Sequence, residues 1–158
     1  MSETKVQLDE ALSAKLEACG HISLPSSGIS MGRRWQDAVS LRVAARKLVE
    51  PRIGDVIVCQ YDGHLIAHRA LKRVERHGKW WWITKGDGAW FPDRIPMPDC
   101  SVLGRVEKFS DQAGRVTDAT SGPSRLYRWL HIAIGRIGVL FRPPIWINHA
   151  KSAVWPEK

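Results

Sequence analysis

Four short motifs carry the residue types of an acyl-transfer site, in the order Gly28-Ile29-Ser30-Met31, His68-Arg69, Lys85-Gly86-Asp87 and Asp93. A serine hydroxyl is a poor nucleophile until a neighbouring base takes its proton. Histidine is the side chain best placed to accept a proton near neutrality. A carboxylate behind the imidazole orients the ring and stabilises its cationic form. Ser30 lies in the run Pro25-Ser26-Ser27-Gly28-Ile29-Ser30-Met31-Gly32, a turn-rich segment suited to exposing Oγ and to leaving backbone N–H groups free for an oxyanion. Taken singly, each motif reads as ordinary structure: a loop serine, a satisfied histidine in a strand, turn-capping aspartates. Together they supply a nucleophile, a base and two candidate orienting acids.

These groups need a scaffold, and the pattern from Ile22 onward is one of short apolar stretches separated by Gly, Pro and Asp. Ala38–Ala44, Asp55–Tyr61, Leu65–Val74, Trp80–Thr84 and Val102–Phe109 read as strands, with Asp62-Gly63 as a hairpin turn. His68 falls inside the third stretch, and Asp87 and Asp93 follow the fourth. Before them, Leu8, Ala11, Leu12 and Leu16 recur at helical spacing over residues 6–19 and Gly20 stops the run. Residues 110–124 are small and polar, as in a linker. The sequence thus predicts a mainly β protein: a short N-terminal helix in 1–20, a β core over 21–109, a linker over 110–124 and a basic amphipathic segment over 125–158.

If residues 125–142 are helical, Leu126, Trp129, Leu130, Ala133, Ile137, Leu140 and Phe141 share one face. Arg125, Arg128, His131, Arg136 and Arg142 cluster opposite, Ile132 and Val139 are exceptions, and Pro143-Pro144 ends the run. Two readings are open: the apolar face docks on the β core, or the helix lies in a membrane interface. Trp80-Trp81-Trp82, with Trp90 and Phe91, brackets Asp87. Strand alternation sends Trp80 and Trp82 to one face and Trp81 to the other, either as sheet packing or as an apolar cleft for an extended peptide.

At 158 residues with 44% hydrophobic composition, the chain fits one folded domain with an appendage. The net charge of +8 is uneven: Glu3, Asp9, Glu10 and Glu17 outweigh Lys5 and Lys15 in the first twenty residues, whereas from Ser121 onward Arg125, Arg128, Arg136, Arg142, Lys151 and Lys158 face only Glu157. That tail is the sole feature favouring nucleic acid, and it carries no helix-turn-helix or RNA-binding signature. Cys19, Cys59 and Cys100 form no CxxC pair and have no metal-ligand spacing, so reduced thiols are expected and no metal or cofactor. Residues 1–20 lack the apolar run of a secretory signal, and nothing reaches the ~18 apolar residues of a membrane span.

The ordered motifs, with Gly54-Asp55-Val56-Ile57-Val58 and Leu103-Gly104-Arg105-Val106, resemble the signal peptidase I and LexA-type superfamily of serine peptidases over residues 22–109. Histidine before Arg69, where other branches have lysine, and the Lys-Gly-Asp then Asp pattern resemble the archaeal and endoplasmic-reticulum type. The resemblance implies a signal-peptidase-like β domain, Ser30 as nucleophile, His68 as base and Asp87 or Asp93 as orienter. Gly28, Ile29 and Met31, flanking the nucleophile, and Trp82 are the residues expected to meet substrate. Lys85 aligns with the turn motif and not with the base. Arg33 stands where the family usually has proline, Gln36-Asp37 replaces its first Gly-Asp, and Gly28 removes a hydroxyl that some relatives carry near the oxyanion hole.

The implied activity is a serine endopeptidase trimming a leader or precursor peptide through an acyl-enzyme. The alternative is a peptide-binding or regulatory module that keeps the fold without turnover. The expected partner is a peptide or protein precursor, with peripheral membrane contact through 125–142 if that helix is a tether, and no nucleic acid. The expected location is cytoplasmic, or peripheral at the inner face of the membrane.

Overall fold

The computed structural model describes residues 11–12, 14–27, 30–32, 35, 37–119, 123–141 and 144–145, and of 123–128 the backbone alone. The expectations that fall on residues 6–10, Gly28, Ile29, the side chains of Arg125, Leu126 and Arg128, and residues 146–158 lie outside the described residues.

Residues 11–12 and 14–19 form a short helix, α1, which ends at Gly20 with φ +74°. Leu16 is its buried anchor. Eight strands follow: β1 (His21–Pro25), β2 (Ala38–Ala45), β3 (Val56–Tyr61), β4 (His64–Arg76), β5 (Lys79–Lys85), β6 (Met97–Pro98), β7 (Val102–Asp111) and β8 (Val116–Asp118). A long helix, α2 (Pro123–Phe141), closes the described chain. The protein is mainly β, as the alternation of apolar stretches predicts.

All strand pairings are antiparallel, in the order β1-β2-β7-β3-β4-β5-β6, with β8 on the side of β7. The turn between β3 and β4 is Asp62-Gly63, both at positive φ (48° and 69°), the geometry that matches the right-handed twist of a two-residue hairpin. His77-Gly78 turns β4 into β5 in the same way.

Because successive side chains of a strand point to opposite faces, β3 serves two cores. Val56 and Val58 join Leu24, Trp35, Leu41, Val43, Val106 and Phe109 on one side. Ile57 and Cys59 join Ala70, Trp82, Met97 and Val102 on the other. Cys59 is a buried free thiol that burial pushes up to about 12, while Cys19 and Cys100 are free and exposed. The expected linker over 110–124 is in part a strand: β7 runs on to Asp111, and β8 folds back to pair Val116 with Ser110.

The helix α2 departs most from expectation. Over residues 129–141, where its side chains are described, the buried positions are His131, Ile132, Gly135 and Gly138. Its apolar face points out: Trp129, Leu130, Ile137, Leu140 and Phe141 are 54–81% exposed. Neither the docked apolar face nor a buried-apolar, exposed-polar division holds. The backbone approaches the sheet through glycine instead. A Cβ at Gly135 would fall 2.5 Å from a Leu71 methyl, and one at Gly138 would fall 2.9 Å from the Pro92 ring. No helix among the described residues is long and apolar enough to cross a membrane.

Candidate active site

The register of β3, β4 and β5 sorts the polar residues into two groups on opposite faces. His68 pairs with Ile57, and Ala70 with Thr84, so His68 and Thr84 lie diagonally on the same face. Arg69 pairs with Lys85, which places two cations directly opposite each other on the other face.

On the first face Asp93 closes the arrangement. Its Oδ2 lies 2.6 Å from His68 Nδ1 and accepts the Thr84 hydroxyl at 2.7 Å. The Asp93 N–H donates to the Thr84 carbonyl at 2.8 Å, so the carboxylate is fixed by backbone as well as side chain. With the carboxylate on Nδ1, the ring holds that proton and leaves Nε2 as the basic nitrogen. His68 and Asp93 are 16% and 22% exposed, open enough for a substrate to reach the ring.

Gly86 is the point where the Ser30 backbone and the His68 ring come together. A Cβ there would lie 2.4 Å from the Ser30 carbonyl oxygen and 3.3 Å from His68 Nε2, so both groups approach one small region of space. The Ser30 carbonyl accepts the Gly88 N–H at 2.9 Å. Gly32, at φ +71°, brings the same turn within 3.1 Å of the Gly88 backbone, measured from where its Cβ would stand. The turn 30–32 is thus clasped backbone to backbone on the segment 86–88, with Ser30 itself exposed. The glycines of Lys85-Gly86-Asp87-Gly88 permit that approach, since any side chain at Gly86 would occupy it.

On the second face, Asp87 forms a buried ion pair with Arg69, through Nε at 2.7 Å and through Nη2, and Arg69 also donates to the Gly54 carbonyl at 2.7 Å. Of the two expected orienters, Asp93 stands behind the imidazole and Asp87 neutralises Arg69. The remaining cation, Lys85, is 1% exposed; it donates to the Gly86 carbonyl at 3.0 Å and lies 3.1 Å from His131 Nδ1 of α2. Burial pushes the Lys85 ammonium below its ordinary value, against the pull of Asp87. Burial likewise lowers His131, again opposed by Asp87, 3.7 Å away. A neutral His131 accepting from Lys85 satisfies both, because Asp87, already paired with Arg69, cannot balance two further adjacent cations.

The substrate-facing expectations fare differently. Trp82 is 2% exposed and its indole N–H donates to Asp99 Oδ1 at 2.7 Å, so it is a core residue and lines no groove. The physical reason is local: a buried indole needs an acceptor, and Asp99 at the 3-10 turn after β6 supplies one. Trp80, on the same face, reaches the surface at 46% exposure, under the Arg73 guanidinium. Met31 is also buried, within the core that holds Trp35 and Phe109. Thr84 and His131 carry parts that the motifs do not reveal; alternation from His68 would have found Thr84, whereas His131 requires knowing which side of α2 is docked.

No protein-family model matches the chain, and no curated protein matches it. What fold and geometry define is a mainly β protein with a histidine–aspartate pair facing an exposed serine turn. Among the described residues no group of His, Cys, Asp and Glu side chains is arranged to hold a metal ion.

Proposed function

We propose that the protein is a serine endopeptidase of signal-peptidase type that cleaves a leader or precursor peptide through an acyl-enzyme. The observation that supports this reading is the approach of the Ser30 carbonyl group and of His68 Nε2 to the same side of Gly86, with Asp93 on Nδ1. In the proposed reaction His68 takes the Ser30 proton, Oγ attacks the scissile carbonyl, and the imidazolium returns a proton to the leaving amine. Asp93, held by Thr84, stabilises the cation while it exists. Water then attacks the ester and regenerates Ser30. Backbone N–H groups of the Ser30 turn are the proposed oxyanion donors.

The test is covalent labelling with a fluorophosphonate. Ser30 is expected to be modified at a rate that falls on His68→Ala, and Ser30→Ala is expected to abolish both labelling and peptide cleavage with the fold intact. Turnover retained by Ser30→Ala would refute the assignment. Labelling of Ser30 without cleavage of any peptide library would leave the binding-module alternative in its place.

A further inference from the structure

The outward face of α2 combines large apolar area with charge of one sign. Trp129, Leu130, Ile137, Leu140 and Phe141 are exposed along the helix. Trp90 at 77% and Phe91 at 43% are exposed in the segment on which the docked side of α2 rests, the backbone of both lying within 3.7 Å of where a Gly138 Cβ would stand. Ile145 continues the exposed apolar surface past the helix end, tied back by its N–H to the Arg94 carbonyl at 2.7 Å. Exposed contiguous apolar surface of this extent marks a binding face.

The charges say what kind of face. The helix sequence Pro123–Phe141 contains three arginines and no carboxylate. Arg136 and Arg94 are its exposed charges within the described residues. The carboxylates of the segment that carries Trp90 and Phe91, Asp87 and Asp93, are engaged inward with Arg69 and His68. A second copy of the chain fits poorly, because a two-fold contact along this stripe would bring arginines together with no acid on either helix to pair them.

We propose that this face, α2 with Trp90 and Phe91, seats the protein in the interface of an anionic lipid membrane, the helix lying in the plane. Apolar side chains enter the headgroup boundary, and Arg136 and Arg94 meet lipid phosphates, the pattern of an in-plane amphipathic helix. Trp90 and Phe91 belong to the segment between Asp87 and Asp93, so the seated surface adjoins the rim of the Ser30–His68 site. The proposal does not depend on Ser30 chemistry.

The experiment is co-sedimentation of the full chain with phosphatidylcholine vesicles, with and without phosphatidylglycerol, in low and high salt. Binding is expected with the anionic vesicles and weaker binding on neutral ones or in high salt. The double substitution Leu140→Glu, Phe141→Glu is expected to reduce partitioning at least tenfold, on the order of what loss of two inserted side chains predicts. Both positions are about four-fifths exposed, so the melting temperature should hold. Arg136→Gln, a milder change, is expected to lower binding to anionic vesicles alone. Absence of sedimentation by the wild-type chain, or equal sedimentation of the double variant, would overturn the proposal. So would a dimer by light scattering that the same two substitutions dissolve, which would give the face to a second copy. Fluorophosphonate labelling without vesicles reads the peptidase assignment separately.

Discussion

Replacing Gly86 by alanine is the sharpest probe of the clasp between the two loops. The new Cβ would stand 2.4 Å from the Ser30 carbonyl oxygen, 3.1 Å from its carbon and 3.3 Å from His68 Nε2. Ordinary contact begins near 3.4 Å, so the Ser30 peptide must retreat by about 1 Å. The obstacle is backbone, which has no rotamer to change. That retreat also strains the hydrogen bond from Gly88 N–H, now 2.9 Å, whose loss costs about 1 kcal/mol. Overpacking of this kind costs about 1–3 kcal/mol in total. The larger effect falls on rate: a misplacement near 1 Å between nucleophile and base costs about 100-fold. The assay is the second-order rate of fluorophosphonate labelling at Ser30, followed by mass spectrometry, with a thermal melt of the same sample. Gly78→Ala is the control, since its φ of +72° strains any side chain but nothing lies within 4 Å of the new Cβ. It should lower the melt and leave labelling unchanged. Gly86→Ala labelling at the wild-type rate would refute the inferred proximity of Ser30 and His68.

The two aspartates should separate by readout. Asp93→Asn is expected to slow Ser30 labelling by roughly 10²–10⁴ with a modest change in melting, because the amide carries no charge to balance the imidazolium and can donate to Nδ1, which puts the ring in the wrong tautomer. Asp87→Asn strands the Arg69 guanidinium and should cost about 3–5 kcal/mol of stability; an unchanged denaturation midpoint would discard that pairing. The third prediction concerns pH. Burial holds His131 below its ordinary 6.5, so the unfolded chain takes up this proton first as pH falls. Stability from this group is full above about pH 6.5 and declines below it, and a His131→Gln profile parallel to wild type between about pH 7.5 and 5 would remove His131 from that role.

The strands were legible because a half-buried sheet writes a period of two into its sequence, and the hairpin because Asp-Gly suits a turn with two positive φ values. β1, β6 and β8 were not: β1 buries only Leu24 of its five residues, and β6 and β8 are two or three residues long and owe their pairing to a longer neighbour. Hydrophobic periodicity grouped Trp129, Leu130, Ile137, Leu140 and Phe141 on one face of α2 and left open which way that face turns. That choice was made by features a hydropathy pattern does not weigh: glycines that let backbone touch Leu71 and Pro92, and a buried lysine that needed an acceptor. The same limit separates Trp80 from Trp82, which share a face and differ in whether Asp99 is within reach. Ser30, His68 and Asp93 were readable as types in order. Which aspartate served the imidazole was not, because the distinction rests on one residue of register, Thr84 against Lys85.

The Lys85–His131 contact gives α2 two clients. On its inner side the helix supplies the acceptor for an ammonium that also holds the Gly86 carbonyl, one bond from the α-carbon between Ser30 and His68. On its outer side it is bare. An element fastened on one flank to the proposed catalytic site and exposed on the other is placed to act as a lever, its link to the Gly86 peptide running through Lys85. By thermodynamic reciprocity, to the extent that binding on the exposed flank shifts the affinity around Ser30, binding at Ser30 shifts the grip on that flank by the same factor.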